Sequence, residues 1–432
     1  MPSARTFTIQ DMPSFTSPSG FADILPQDWP YWQFVLDAAV KVSHLFRYQR
    51  IETPILGPTG LFARSSGQGT DVVDKEMYSF RDRGGDEVSL RPEGTAPVMR
   101  AYFEHGMETL PQPVKLYYIE RMYRYDRPQK GRFREHRQFG CEAIGSEEPY
   151  VDVEMMALLK MFYHRIGLTD LSLQLNSIGD GDCRPAYLRA LVPYLREHTD
   201  DLAPLDRERI DRNPLRVLDS KEAASQEVIR GAPRMTDFLC EACRAHFHSV
   251  LHGLDLLDIP YTLNNRLVRG LDYYTRTVFE FHPPGHGAQS SVGAGGRYDA
   301  LSEAMGEKPV PGIGFGSGLE RLVLNVRERG IEVPAEPGPE VVIIHAGSEA
   351  GDSALVLANQ LRAQNIATDM SFGPRSLKAQ MKRANSSGAR FAAIIGDEEL
   401  QSGEVTLRDL QKSEQERIPR AALAGAVSPD QR

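Results

Sequence analysis

Seven basic side chains crowd the segment between Arg121 and Glu142, in a chain whose formal net charge is −9. The seven are Arg121, Arg124, Arg127, Lys130, Arg132, Arg134 and Arg137. Because the planar guanidinium group binds phosphate oxygens in pairs, arginines that converge from a strand pair can hold a polyphosphate. A solvated basic surface explains the same composition, and the segment taken alone slightly favours that interpretation.

Glycines alternate with larger residues between Gly312 and Gly318, and Arg321 follows them. Alternate glycines on a strand leave one face bare, so a planar ring can lie against the backbone there. Arg321 then opens a helix, where its charge can face a phosphate. The spacing is not that of a dinucleotide-binding fingerprint. A glycine-rich packing strand is the alternative, but the terminal Gly-Leu-Glu-Arg favours a binding site.

Three further segments combine residue types that suit a ligand pocket. The segments Leu267–Thr275 and Gly295–Asp299 each hold an arginine, an acid and tyrosine. Either could form a pocket wall or a tight turn with cross-strand aromatic packing. The segment Ser89–Thr95 could present a carboxylate and a hydroxyl to a small amino group, although an ordinary turn is the favoured interpretation.

In this order, these segments strongly resemble the histidyl-tRNA synthetases, a class II aminoacyl-tRNA synthetase family, over nearly the whole chain from about Gly20. The helix ending near Pro54 resembles motif 1, Arg121–Glu142 resembles motif 2, and Gly312–Leu324 resembles motif 3. Arg269–Tyr274 and Gly295–Asp299 resemble the two peptides peculiar to the histidine enzymes. Ala300 stands where a glycine is commoner, which is a minor departure.

The resemblance implies an α+β catalytic domain with an antiparallel sheet, of the class II synthetase type, and a C-terminal α/β anticodon-binding domain. It implies that the protein makes histidyl-adenylate from L-histidine and ATP, with Mg²⁺ accompanying the ATP. The histidyl group then passes to the 3′-terminal ribose of its tRNA. The resemblance also implies a homodimer in the cytoplasm.

The resemblance implies a role for each candidate site residue. It makes Arg124 and Arg269 catalytic, because they would flank the α-phosphate from opposite sides. The implied histidine-binding residues are Glu93, Thr95, Arg124, Gln138, Glu142, Arg269, Tyr273 and Tyr274. The implied ATP-binding residues are Arg124, Arg132, Gly318 and Arg321. The implied tRNA-binding residues are Arg127, Gln129, Lys130, Lys378 and Lys382.

The implied pairing of Glu142 and Tyr274 with the imidazole has a physical logic. Neutral imidazole offers one donor and one acceptor, so a carboxylate and a hydroxyl together fix its tautomer. A site built to hydrogen-bond a substrate group can reject analogues that lack it by ~10⁴–10⁵.

The chain of 432 residues is long enough for two or three domains. We expect a flexible extension at 1–19, a catalytic domain at 20–332 with a helical insertion at about 179–258, a linker at 333–339 and an anticodon-binding domain at 340–432. No apolar run approaches the ~20 residues that span a bilayer, so no membrane partner is expected. The first residues lack the apolar core of a signal peptide.

Periodicity predicts the elements of both domains. Helices are predicted at 30–49, 151–166, 353–364 and 375–386, and strands at 51–55, 116–125, 138–144, 171–176, 277–281, 341–345 and 389–395. The alternation after the linker predicts a mainly parallel sheet.

The four cysteines are too sparse for a disulfide scaffold. Cys240, Cys243, His246 and His248 are zinc-ligand types, but their spacing is not that of a zinc finger. No distant pair is evident in the sequence to complete four ligands. We therefore expect no tightly bound structural metal.

Two other functions stay open at this point. One is the related regulatory subunit of ATP phosphoribosyltransferase, which generally lacks the C-terminal domain and the intact histidine-specific peptides. The other is a different class II synthetase with the same tail domain, such as the threonine or glycine enzyme. The presence of a domain after Pro339 and of Arg269–Tyr274 argues against the regulatory subunit.

Overall fold

The structure is a computed structural model, which describes residues 15–66, 70, 72–268, 273–284, 291–373 and 375–428. The chain divides into two compact units, with the boundary between Val333 and Pro334. None of the described helices is long and apolar enough to cross a membrane.

The first unit contains ten of the described α-helices and the strands that carry the candidate site. The helices are α1 (Trp29–Leu45), α2 (Thr59–Ser66), α3 (Thr95–Glu104), α4 (Pro149–Arg165), α5 (Cys183–Glu197), α6 (Pro204–Arg212), α7 (Gln226–Gly231), α8 (Glu241–Leu256), α9 (Leu301–Met305) and α10 (Leu319–Glu328). The strands are β1 (Gln49–Arg50), β2 (Leu56–Pro58), β3 (Ser79–Arg81), β4 (Glu87–Leu90), β5 (Val114–Tyr123), β6 (Glu135–Ile144), β7 (Ser172–Ser177), β8 (Tyr261–Leu263), β9 (Thr275–His282), β10 (Gly293–Arg297) and β11 (Gly312–Gly318).

An eight-stranded sheet forms the middle of this unit, in the order β1-β5-β6-β11-β10-β9-β7-β8. The pairs from β5 through β7 are antiparallel, and the two outermost pairs, β1 with β5 and β7 with β8, are parallel. A small sheet of β2, β4 and β3 lies beside it in the same unit. This arrangement confirms the expected α+β fold with an antiparallel central sheet.

Helices α1, α4 and α10 cover one face of the large sheet. Their apolar residues, such as Val35, Phe162 and Leu322, are fully buried against Phe139 and Phe315 from the sheet. The helical period explains the packing, because residues three or four positions apart share one face of a helix.

The residues between β7 and β8 form a helical module with a core of its own. This core includes Tyr187 and Leu191 from α5, Ile210 from α6 and Ile229 from α7. Helix α8 joins the module to the main core, because Val250 and Leu254 pack with Val153 of α4.

The second unit has a five-stranded sheet, β13-β12-β14-β15-β16. Its strands are β12 (Val341–His345), β13 (Thr368–Met370), β14 (Phe391–Ile395), β15 (Glu404–Asp409) and β16 (Glu414–Pro419). Its helices are α11 (Ser348–Ala363), α12 (Leu377–Ser386), α13 (Asp397–Ser402) and α14 (Leu423–Val427). The first three strands are parallel, but β15 and β16 add an antiparallel hairpin, so the predicted mainly parallel sheet is a mixed sheet.

The strand predicted at 51–55 is wrong, because regular pairing stops at Arg50. Here the side chain of Glu120, and not a neighbouring strand, accepts a backbone hydrogen bond. The backbone N–H of Thr53 donates to Glu120 Oε1 at 2.6 Å, and Glu120 also pairs with buried Arg91 at 2.7 Å. Arg91 in turn donates to the Thr53 carbonyl at 2.7 Å, so this turn is tied to β5 through buried charges.

Candidate active site

A fully buried carboxylate, Glu142 of β6, lies at the centre of a cluster of hydroxyl groups. Tyr298 donates to its Oε2 at 2.7 Å, and Thr95 donates to its Oε1 at 2.8 Å. Tyr118 donates to the same Oε1 at 3.3 Å. Burial raises the pKa of Glu142 to about 8, although the hydroxyl donors pull it down. The group therefore carries a proton near neutral pH in the ligand-free protein.

The alternating glycines of β11 make room for the side chains of β6. A Cβ atom at Gly314 would lie 1.8 Å from Glu142 Oε2, and one at Gly316 would lie 2.2 Å from Gln138 Nε2. Gln138 uses that space to donate to Tyr118 at 3.0 Å. Among the glycines of β11, only Gly318, where a Cβ would meet nothing within 4 Å, leaves the bare surface predicted for the whole strand.

Glu93 holds the start of α3 next to this cluster. Its two carboxylate oxygens accept the backbone N–H groups of Thr95 at 2.7 Å and Ala96 at 2.9 Å. Burial raises its pKa, while these backbone donors and Arg124 lower it. The capping places the Thr95 hydroxyl at the Glu142 carboxylate, so Glu93 and Thr95 belong to one site.

Tyr273, Tyr274 and Tyr298 form an aromatic group beside Glu142. The ring centroids of Tyr273 and Tyr274 are 4.7 Å apart, and those of Tyr273 and Tyr298 are 6.0 Å apart. All three rings are buried. Tyr273 and Tyr274, which precede β9, and Tyr298, which follows β10, therefore meet in one buried cluster beside Glu142.

A second region, a cleft of about 340 Å³, lies at the other end of the same strands. Its lining includes Arg124, Arg132 and Arg321, together with Gly316 and Gly318. Arg124 is held by the Pro92 carbonyl at 2.7 Å, and Arg321 by the carbonyls of Gly131 at 3.1 Å and Ser291 at 2.9 Å. Arg132 pairs with Asp126. Three guanidinium groups thus face one cleft, which is the arrangement a polyphosphate requires.

The imidazole of His136 lies among the arginines of this cleft. Burial and the charges of Arg124, Arg321 and Arg132 lower the pKa of His136 to about 3. Burial, followed by the charge of Arg132, also lowers the pKa of Arg321. An anion in this cleft would relieve the repulsion between like charges.

Three other basic residues of the segment contact neighbouring side chains of the protein. Arg121 pairs with Glu135 at 2.6 Å, and Arg134 lies 3.8 Å from the centroid of the Tyr125 ring. The Arg137 guanidinium lies over Trp29 and Trp32, at 5.5 and 5.2 Å from their ring centroids. Contacts within the protein therefore hold these three side chains, whereas Arg124 and Arg132 line the arginine cleft.

The predicted tRNA-binding residues lie on two exposed surfaces, one in each unit. In the first unit, Arg127, Gln129 and Lys130 form a loop beyond β5, closed by backbone hydrogen bonds between Gln129 and Arg132. In the second unit, Lys378 and Lys382 are exposed one turn apart on α12.

One predicted site residue lies outside the described part of the chain, and three residues that were not predicted lie at the site. Arg269 lies outside the described residues. Tyr118 and Tyr298 contact Glu142, and His136 lies among the arginines. Tyr298 stands in a segment already singled out, and His136 stands within the basic segment, so proximity in sequence was the available signal. Tyr118 had none.

Two residues distant in sequence do complete a set of four metal-ligand types, contrary to the prediction. Folding brings Asp180 and Cys183 to Cys240 and Cys243, with their ligand atoms within 4.8 Å of one another. His246 is not part of this group, because it bonds to Asp152 at 2.9 Å.

Two family models match the chain. The one described as "Histidyl-tRNA synthetase" matches residues 20–322, and the one described as "Anticodon binding domain" matches residues 340–429.

Curated relatives match almost end to end. The histidine–tRNA ligase of Dehalococcoides mccartyi (strain 195) is 49% identical over 405 residues, which is 94% of this chain and 97% of that protein. The histidine–tRNA ligase of Moorella thermoacetica is 49% identical over 406 residues, covering 94% of this chain and 96% of that protein.

Solved structures share the architecture. The apo histidyl-tRNA synthetase of S. aureus matches with a TM-score of 0.81 at 37% identity, covering 96% of this chain and 100% of that chain. A Bacillus halodurans structure, titled an ATP phosphoribosyltransferase regulatory subunit/histidyl-tRNA synthetase, matches with a TM-score of 0.62 at 23% identity. It covers 88% of this chain and 98% of that chain, and such a likeness shows the fold alone.

Proposed function

Because the chain belongs to the histidyl-tRNA synthetase family and is a histidine–tRNA ligase, we propose that the Glu142 pocket binds L-histidine and the arginine cleft binds ATP. The observation that carries this assignment is the continuity of the two regions. Gln138 and Glu142 lie on β6, and β6 pairs directly with the β11 strand whose Gly316 and Gly318 line the cleft. One strand pair therefore brings the amino acid and the nucleotide together.

Glu142 selects histidine by accepting an imidazole N–H. The Tyr274 hydroxyl contacts the other ring nitrogen, which fixes the tautomer. The hydroxyl groups of Tyr298 and Thr95 hold the carboxylate in place, at 2.7 and 2.8 Å. A substrate that offers no donor would forfeit this additional bond to the carboxylate, and a hydrogen bond to a charged group contributes about 1.5–3 kcal/mol.

Glu93, Thr95 and Gln138 hold the rest of the amino acid. Both Glu93 oxygens already accept a backbone N–H, and each keeps a second acceptor direction for the substrate ammonium. Gln138 and Tyr273 complete the wall around the α-carbon. In this position the substrate carboxylate points towards Arg124, which lines the arginine cleft.

Activation is an in-line displacement at the α-phosphorus. A carboxylate oxygen of histidine forms the new bond to phosphorus, and the bond to the bridging oxygen of pyrophosphate breaks. Arg124 and Arg269 offset the charge at the α-phosphate, and Arg132 and Arg321 hold the distal phosphates while Gly318 gives the base a flat surface. Mg²⁺ enters with ATP as part of the substrate.

Transfer to tRNA uses surfaces outside the pocket. The loop with Arg127, Gln129 and Lys130 contacts the acceptor end, and Lys378 and Lys382 contact the anticodon region. We expect a homodimer whose interface includes α1 and the segment after it. We expect the protein to act in the cytoplasm, where its tRNA substrate is used.

Histidine-dependent exchange of pyrophosphate into ATP tests the proposal. We expect exchange with histidine and none above background with threonine or glycine. Folded protein that catalyses no exchange would contradict the assignment and favour a regulatory role. Exchange stimulated by threonine or glycine alone would contradict the role of Glu142 in amino-acid choice.

A further inference from the structure

We propose that Asp180, Cys183, Cys240 and Cys243 form a tetrahedral zinc site at the base of the insertion, the module between β7 and β8. This inference does not depend on the proposed roles of the catalytic residues. It rests on a set of ligand atoms that the fold assembles from two distant segments.

The four side chains converge from the starts of two helices. Asp180 and Cys183 lie at the beginning of α5, and Cys240 and Cys243 lie at the beginning of α8. Cys183 and Cys240 are 57 residues apart in sequence, yet the backbone N–H of Cys240 donates to the Cys183 sulfur at 3.1 Å. Cys243 Sγ lies 2.9 Å from Asp180 Oδ2.

The spacing of the four ligand atoms suits zinc. All lie within 4.8 Å of one another. A zinc–sulfur bond of about 2.3 Å makes the edge of a tetrahedron about 3.8 Å long, so closure needs movements of about 1 Å or less. Thiolate sulfur with one carboxylate oxygen is a donor set that selects zinc over magnesium or calcium.

The surrounding backbone is arranged as it is around bound thiolates. Cys240 caps α8, and its sulfur accepts the N–H of Cys243 at 3.4 Å. The start of a helix favours negative charge, which stabilises a thiolate there. Asp180 Oδ1 accepts the N–H of Cys183 at 3.2 Å, which orients its other oxygen towards Cys243.

Gly179 lets the chain turn into the site. Its φ is +61°, and a Cβ there would lie 2.6 Å from both the Cys183 Cβ and the Met235 Cε. A positive φ together with such close approach requires glycine. The tight turn directs Asp180 and Cys183 at the α8 cysteines.

Burial and charge also fit a bound ion. Cys183 and Cys243 are buried, while Asp180 and Cys240 are partly exposed, which gives the ion a path of entry. Three thiolates and a carboxylate around a divalent cation leave excess negative charge, and the Arg276 guanidinium lies 3.9 Å from Asp180 Oδ2. Hydrogen-bond and charge partners of this kind tune ligand basicity and metal affinity.

The site would fix the insertion to the chain that carries the histidine pocket. Arg276 donates its backbone N–H to the Gly179 carbonyl at 2.6 Å, and Arg184 of α5 donates to the Tyr274 carbonyl. Zinc therefore stabilises the two ends of the insertion against each other and supports the backbone next to Tyr274. Its role is structural, because its ligands lie outside the pocket lining described above.

Metal content and cobalt substitution test the proposal on the full-length protein. Protein purified without chelator from zinc-supplemented medium should hold about one zinc per chain by elemental analysis. After removal of metal under reducing conditions, titration with Co²⁺ should give thiolate-to-cobalt charge-transfer bands and the intense visible bands of tetrahedral cobalt. The charge-transfer bands require thiolate ligands. The measurement uses the unmutated protein, so it does not depend on the folding of a variant.

Matched substitutions locate the ion. Cys240→Ser and Cys243→Ser should each lower zinc affinity by about tenfold or more, and Cys141→Ala should leave it unchanged. Cys141 is a buried cysteine of β6 outside the cluster. Zinc retained in both serine variants, a folded reduced protein that takes up neither zinc nor cobalt, or a Cys183–Cys240 disulfide in freshly purified protein would each overturn the proposal.

Discussion

Replacing Gly314 with alanine would push a methyl group into the Glu142 carboxylate. The new Cβ would lie 1.8 Å from Glu142 Oε2 and 2.7 Å from the Cys141 carbonyl oxygen, whereas Cβ atoms essentially never approach another heavy atom within 3.0 Å. The contact with the backbone oxygen requires a small shift between β6 and β11, and the much closer contact displaces the carboxylate. The bonds from Tyr298 at 2.7 Å and Thr95 at 2.8 Å cannot both survive that movement.

The magnitude follows from the lost contact to histidine. A hydrogen bond to a charged group contributes about 1.5–3 kcal/mol, so a displaced Glu142 should lower kcat/KM for histidine by about 10- to 150-fold. The KM for ATP should change by less than about threefold, because Gly314 does not line the arginine cleft.

Pyrophosphate exchange at varied histidine and varied ATP separates the two effects. Gly425→Ala is the matched control, because a Cβ there would meet nothing within 4 Å. Thermal unfolding of each variant checks that the pocket, and not the whole fold, has changed. If Gly314→Ala kept its kcat/KM for histidine within about threefold of the parent, the reasoning that Glu142 needs this space would be wrong.

Four other predictions concern Arg269, Gln129 and Glu142. Arg269→Ala should slow adenylate formation in single-turnover experiments by ~10²–10³, and a change of only a few-fold would remove Arg269 from the mechanism. Gln129→Ala should impair tRNA charging more than pyrophosphate exchange; equal losses would count against a loop that contacts the acceptor end. Histidine binding near pH 7 should release a proton from Glu142, whose pKa of about 8 falls when an imidazole N–H donates to it, and calorimetry in two buffers should find no such release in Glu142→Gln. The folded state keeps a proton on Glu142 that the unfolded chain loses at about pH 4.5. The parent protein therefore loses stability as the pH rises from about 4.5 to about 8. The Tm of the Glu142→Gln variant should therefore rise relative to that of the parent across this window.

The helices and central strands could be predicted from sequence because their patterns are local. The residues of β5, β6, α4 and β12 alternate or repeat with the period of their element, and their bounds fall within a few residues of the prediction. The end of the strand at Arg50 could not be predicted, because Glu120 from a distant strand satisfies the Thr53 backbone. The β15–β16 hairpin was missed since its outer strand is polar and exposed.

At the candidate site, too, local patterns could be predicted from sequence and contacts between distant segments could not. The glycine pattern of β11 indicated a binding site, but only the register with β6 reveals that Gly314 and Gly316 make room for protein side chains. The cysteine pair of α8 was set aside because sequence spacing does not show which residues a turn at Gly179 brings near. Contacts between distant segments decided both questions.

The topology at the sheet edge limits how far this enzyme could be shortened. β7 and β8 are parallel neighbours, with Leu173 opposite Tyr261. A tight hairpin cannot join parallel strands, because the chain must return along the whole strand, which takes about a dozen residues or more. The helical module therefore occupies a position where some crossover is obligatory. A minimal synthetase that lacks it would need a designed return segment in its place, and a simple deletion from Gly179 to Asp258 would remove β8 from the sheet.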